Sequence, residues 1–123
     1  MSNQTSLEKL GRRAVACEHW RWMPGMLLLP HIDGCECCED RNFPRRAARL
    51  PAVFTTDIDV PDLTDPATLG CLLALVREAW EEATVYVEHD KCRRRPWVAI
   101  LPMLVIDCDT EAEALVAALE AAP

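Results

Sequence analysis

The sequence has few of the residues on which common catalytic and phosphate-binding motifs depend. Four glycines in 123 residues leave no glycine-rich loop that holds a phosphate. The patterns G-x-S-x-G and H-E-x-x-H are both absent, and only three histidines supply bases that titrate near neutral pH. The sequence therefore predicts a protein that is not an enzyme.

Long apolar runs are also missing. No stretch reaches the length of about 18 apolar residues that a membrane-spanning helix needs. The opening MSNQTSLEKL is polar and lacks the basic and apolar regions of a signal peptide. We therefore expect a soluble cytoplasmic protein with no membrane partner.

Cysteine is abundant, with seven residues, an odd number. A reducing compartment keeps thiols unpaired, so a cysteine cluster there indicates a metal site or no special chemistry. Cys17, Cys71 and Cys108 lie among apolar neighbours and are predicted to be small core residues. The other four lie in polar surroundings: Cys35, Cys37, Cys38 and Cys92.

The formal net charge of −7 is unevenly distributed. Residues 1–50 contain eight Lys or Arg and six Asp or Glu, whereas residues 51–123 contain five and fourteen. Because affinity for phosphate depends on basic charge, an acidic chain disfavours non-specific binding of nucleic acid. It suits a partner that is itself basic.

The first half predicts a helix followed by two strands. After Ser6, the expected N-cap, apolar residues recur at helical spacing from Leu7 to Cys17. The segments Trp20–Leu29 and Ala52–Thr56 predict an antiparallel pair of strands. The polar connection at 31–50 between them is long for a small domain, which is typical of a functional or mobile segment.

The second half predicts two helices around two further strands. Asp65 and Pro66 begin a helix in which Gly70 predicts a closely packed neighbour. TVYVEHD and WVAILPMLVID predict one strand each, and Thr110 begins the last helix. The order α-β-β-α-β-β-α predicts a single α+β domain over 1–123, a two-layer sandwich with a four-stranded antiparallel sheet and helices on one face.

Two phrases, RRAVACEHWRWMPGM and PDLTDPATLGCLLALVREAW, resemble a group of small hypothetical proteins of tailed bacteriophages and prophages. The likeness covers roughly residues 10–30 and 60–80 and is weaker in the C-terminal helix. The group brings no assigned activity, and the cysteine-rich stretch at 35–38 is not a feature of it. The resemblance implies a phage accessory protein that acts in the bacterial cytoplasm.

A zinc site is the sharpest chemical alternative to a protein without a cofactor. Cys35 and Cys38 have C-x2-C spacing, and His89 and Cys92 repeat that spacing after the third predicted strand. If the two loops meet, four such ligands form a closed tetrahedral site of the structural kind. The main expectation remains two unrelated loops with exposed thiols and no cofactor.

The partner-binding candidates are basic and aromatic. The clusters RNFPRRAAR and KCRRR, which include Arg45, Arg46 and Arg94, have residue types that contact phosphates, although nearby acids also pair with them. Trp20 and Trp22 flank Arg21 beside a Pro-Gly turn, and Trp and Arg are favoured at binding hot spots. Packing at the edge of the sheet is the alternative for both tryptophans.

Taken together, these features predict a non-catalytic binding module for a host or phage macromolecule, most simply a protein. The first alternative is a small zinc-stabilised protein that binds nucleic acid through its arginine clusters. The second is an acidic inhibitor of a host defence complex, with a negative face built from Glu78, Glu81, Glu82 and the C-terminal acids. The oligomeric state stays open, with a homodimer among the options.

Overall fold

The computed structural model describes residues 3–29 and 60–123. They form, in chain order, α1 (Asn3–Ala16), α2 (Pro66–Ala79), β1 (Tyr86–His89), β2 (Trp97–Leu101), β3 (Leu104–Cys108) and α3 (Glu111–Ala121). The strands make one antiparallel sheet in the order β1-β2-β3. The predicted α+β class is therefore confirmed.

The described part of the chain has three strands where the sequence predicts four. Trp20–Leu29 is not a strand, because it contributes only the single bridge of Leu28 with Pro61. WVAILPMLVID is not one strand but the hairpin β2–β3, which turns at Pro102 and Met103. Proline has no N–H for a ladder, so it ends β2. The predicted strand Ala52–Thr56 and the loop at 31–50 lie outside the described residues.

The start signals of the last two helices are confirmed. Asp65 is the N-cap of α2 and accepts a hydrogen bond of 3.0 Å from the N–H of Thr68, with Pro66 in the first turn. Thr110 caps α3 by accepting from the N–H of Glu113 at 3.1 Å. The first helix differs, since α1 begins at Asn3 rather than after Ser6. Each side-chain cap satisfies a backbone N–H that has no partner within the helix.

The sheet has one face toward the helices and one away from them. Val87, Ala99 and Ile106 lie opposite each other across the three strands, and all three pack in or against the core. Because side chains alternate between faces along a strand, the neighbouring row of Tyr86, Ile100 and Val105 points away from the helices.

Helix α3 lies at the centre of the core. It contacts all three strands on one side and also packs against α1 and α2. Its buried residues occupy most of its circumference: Ala112, Ala114, Leu115, Val116, Ala118 and Leu119. A helix that is apolar on nearly all sides is expected at such a buried position.

Backbone hydrogen bonds join residues 27–29 to residues 60–62. The N–H of Leu29 donates to the carbonyl of Val60 at 2.7 Å, and that of Asp62 donates to Leu27 at 2.8 Å. Leu27 in turn donates its N–H to the hydroxyl of Thr68 at 2.9 Å. Thr68 is fully buried, so its hydroxyl satisfies a backbone group that water does not reach. These bonds attach the chain before α2 to the chain after α1.

Two helical glycines have opposite surroundings. A Cβ at Gly11 in α1 would overlap Cγ1 of Val60 and lie 3.3 Å from the carbonyl oxygen of Pro61. A Cβ at Gly70 in α2 would have no atom within 4 Å. The close neighbour predicted for Gly70 is therefore wrong, and the residue that allows close packing is Gly11.

The substitutions Gly11→Ala and Gly70→Ala are expected to change stability in opposite directions. Gly70→Ala should raise the free energy of unfolding by up to about 1 kcal/mol, because alanine favours the helix and meets no obstacle. Gly11→Ala should lower it by about 1–3 kcal/mol, since overpacking against the stiff Val60 outweighs the same helical gain. Urea unfolding of both variants measures the difference, and equal shifts of the same sign would contradict the packing at Gly11.

Candidate functional site

The two tryptophans of the predicted binding edge pack on each other. The rings of Trp20 and Trp22 meet edge to face with centroids 5.3 Å apart. Both side chains are half-buried against the core, and the ring N–H of Trp20 is buried without a hydrogen-bond partner in the structure. Most of their aromatic area therefore faces the protein interior, and packing accounts for it.

Arg21 connects this segment to α2. One guanidinium nitrogen donates to both carboxylate oxygens of Glu78 at 2.6 Å, and both side chains are exposed. The pair borders an open cleft of about 560 Å³ that is also lined by Glu18, His19, Trp20, Leu75, Glu81 and Pro123. The ion pair joins the segment that contains Arg21 to α2. Because Glu78 already binds the guanidinium group, less of its charge is available to a partner.

Two of the four basic residues in the loop Lys91–Arg95 are paired with acids among the described residues. Arg93 donates to Asp90 at 3.2 Å and to Asp107 at 2.9 Å. Arg95 donates to Asp109 at 3.3 Å and to Glu113 at 3.0 Å, and the bond to Asp109 raises the pKa of Arg95. Among the loop arginines, Arg94 alone makes no ion pair with the described residues. Arg45 and Arg46 lie outside those residues.

One half of the predicted zinc site is described. His89 is exposed and its ring meets that of Trp97 edge to face at 5.0 Å. Cys92 is also exposed, and its N–H donates to Asp90 Oδ1 at 3.0 Å in the tight turn after β1. Across residues 3–29 and 60–123, no three His, Cys, Asp or Glu side chains are grouped to hold a metal ion. Cys35 and Cys38 lie outside those ranges, so the four-ligand site stays a prediction.

Of the three cysteines expected in the core, one is confirmed as a core residue and two pack against the core. Cys108 is buried, and Cys17 and Cys71 are half-buried against the core as free thiols. Burial raises the pKa of the Cys108 thiol, and the nearby carboxylate of Glu113 raises it further. Such a thiol stays protonated and is a poor nucleophile.

The β2–β3 hairpin exposes apolar side chains. Met103 in the turn is 96% exposed, Val105 is 50% exposed and Leu104 is 43% exposed. Val98, on the same face of the sheet as Val105 but farther from the turn, is buried. We call Met103, Leu104 and Val105 the hairpin tip. The apolar spacing predicted one buried strand here, although Pro102 was a signal for a turn.

A second concave surface lies between α2 and β1. This groove of about 400 Å³ is lined by Pro66, Leu69, Gly70 and Leu73 from α2, with Tyr86, Val87, Glu111, Leu115 and Thr64. Leu115 is buried beneath it, whereas Gly70 and Tyr86 are exposed. We call it the α2–β1 groove. The apolar spacing of α2 predicted one buried stripe and gave no sign that part of it borders an open groove.

No family model, curated protein or solved structure matches the chain, so no function is transferred from a relative. None of the helices in the described ranges is long and apolar enough to cross a membrane.

The described thiols are expected to differ in reactivity. At pH 8, N-ethylmaleimide should label exposed Cys92 at least about tenfold faster than Cys108, because burial and a raised pKa suppress the Cys108 thiolate. Peptide mass spectrometry measures the rate at each site. In denaturant the two rates should converge, whereas equal rates in the native protein would contradict the burial of Cys108.

Proposed function

We propose that this chain is a non-catalytic binding module for another protein, in keeping with a phage or prophage accessory protein that contacts a host or phage macromolecule. The observation that supports it is the hairpin tip, where three consecutive large apolar residues are exposed, with the side chains of Leu104 and Val105 on opposite faces of β3. A cluster of exposed apolar side chains is typical of protein–protein contact sites.

The pairing of charges favours this function over both charge-based alternatives. A nucleic-acid-binding protein needs arginines free to contact phosphates, yet Arg93 and Arg95 each bond two carboxylates. An acidic inhibitor needs unpaired carboxylates on one face. Of the acids expected on that face, Glu78 and Glu120 are bound to Arg21 and Arg13, whereas Glu81 and Glu82 make no ion pair with the described residues.

Binding of an apolar partner surface would also explain why the side chains of the hairpin tip are exposed. Met103 is almost fully exposed, and methionine is a flexible, polarisable side chain that adapts to different partner surfaces. Burying Met103 in a complex would contribute about 1.5–3 kcal/mol before the cost of association, and burying the half-exposed Val105 roughly half as much. The tip is therefore a small anchor for a partner with an apolar pocket.

Photo-crosslinking from the tip tests the proposed function. With p-benzoylphenylalanine in place of Met103, we expect discrete protein adducts in a bacterial lysate that are absent when the probe replaces Glu18, another highly exposed residue. Binding of the identified protein should then weaken at least about tenfold with Met103→Glu, because a desolvated charge enters the contact. The melting temperature should not change.

Three outcomes would contradict this proposal. Identical adducts from positions 103 and 18 would indicate non-specific contact. An adduct of twice the chain mass alone would indicate self-association. Binding of DNA with an affinity that falls steeply with salt would favour the nucleic-acid alternative.

A further inference from the structure

One edge of the sheet has backbone groups directed away from their neighbouring strand. The N–H of Asp90 donates to the carbonyl of Pro96 at 2.7 Å, which continues the register of β1 with β2. Bonded and non-bonded pairs alternate in an antiparallel ladder. Asp90 belongs to a bonded pair, so His89 and Val87, one and three positions before it, belong to non-bonded pairs. The N–H and C=O groups of Val87 and His89 therefore point away from β2. In the described chain no other strand pairs with β1.

The α2–β1 groove lies alongside this edge. Leu69 and Leu73 of α2 form one wall, Val87 lies on β1, and Leu115 of α3 lies beneath. Gly70 has no side chain and leaves the groove open in the middle of that wall. A strand added at β1 would place every second side chain on the helix side of the sheet, and hence toward the groove.

The groove is held in position at the end where α2 leads into β1. Arg77, in the last turn of α2, donates from Nε to the carbonyl of Val85 at 2.8 Å, just before β1. This bond spans the short turn between helix and strand and fixes their separation. A preformed groove lowers the entropic cost of binding an extended segment.

The opposite edge of the sheet is less suited to an added strand. Asp107 on β3 is exposed and is bonded to Arg93 from the neighbouring loop at 2.9 Å. Charged side chains on an edge strand discourage further pairing. β1 also has an exposed charged residue, Glu88, but it makes no ion pair with the described residues, and Tyr86 and Val87 beside it are uncharged.

The charged residue that lines the groove predicts the charge of one side chain of the ligand. Glu111 is the one charged residue among the described residues that line it. It is a half-buried residue in the first turn of α3. A lysine or arginine on the bound segment would pair with this carboxylate and set its register.

We propose that the α2–β1 groove binds an extended segment of a partner protein, which pairs with β1 as an added strand, inserts alternate apolar side chains and places one basic side chain beside Glu111. Strand addition of this kind obtains affinity from main-chain hydrogen bonds and specificity from the groove. The site is separate from the hairpin tip.

Selection from a displayed library of random peptides tests the proposal. Peptides selected on the full chain should have apolar residues at alternate positions and a Lys or Arg. On binding, hydrogen exchange should slow at the amides of Val87 and His89, because their N–H groups become paired. Failure to select such peptides, or unchanged exchange at both amides, would overturn the proposal.

Variants at Gly70 and Glu111 locate the binding site. Gly70→Phe should weaken the peptide affinity about tenfold or more because the ring fills the groove, whereas Gly70→Ala is the matched control with little effect. Glu111→Gln should weaken it about fivefold through loss of the ion pair. Equal affinity of the Phe and Ala variants would overturn the proposal, and thermal melts confirm that each variant is folded.

One further variant distinguishes binding at the α2–β1 groove from binding at the hairpin tip, on which the proposed function depends. Met103→Glu should leave peptide affinity unchanged, because Met103 does not line the groove. Peptide binding that is lost in Met103→Glu but retained in Gly70→Phe would assign the peptide to the hairpin tip and overturn the groove proposal. Loss of lysate adducts from position 103 would leave the groove result intact.

Discussion

The packing of α3 between the sheet and the other two helices is the constraint on which the described structure depends. Leu115 and Leu119 are almost fully buried, and burial of each contributes about 1.5–3 kcal/mol. The alanines between them allow strands and helices to approach closely. The chain at the end of α1 meets α3 over a long sequence separation, since Cys17 Sγ donates to the carbonyl of Leu119, 102 positions away, at 3.5 Å. Folding of α1 is therefore coupled to the packing of α3.

This arrangement also determines which surfaces remain available. In the described part of the chain, α3 covers one face of the sheet, whereas the β1 edge and the hairpin end of the other face are not covered. The charged groups nearby are mostly paired with each other: the ion pair with Glu120 raises the pKa of Arg13, as the pair with Asp109 does for Arg95. Such exposed pairs contribute little to stability, about 0–1 kcal/mol each. Their larger effect is to reduce the free charge of the groups that they join.

The sequence was sufficient to predict those features of the structure that depend on neighbours along the chain. Asp65 with Pro66, and Thr110 with its following turn, identify two helix starts because a cap is completed within a few residues. It was insufficient to predict features that depend on a residue far away in the sequence. Gly11 is crowded by Val60, and Arg21 is bound by a glutamate 57 positions away, which local spacing does not reveal. The α2–β1 groove was missed for the same reason, whereas the hairpin at Pro102 was a local signal given too little weight.

One row of side chains on the outer face of the sheet runs from the β1 edge, beside the groove, to the hairpin. Tyr86, Ile100 and Val105 lie opposite each other in register, from the β1 edge to the hairpin. A strand added at β1 would alternate its side chains between the groove and this outer face. Its outward side chains would then lie beside Tyr86 and extend the row by one position. A single partner with an extended segment and an adjoining apolar surface would thus contact both the groove and the hairpin tip, and would bind each more tightly because the other holds it in place.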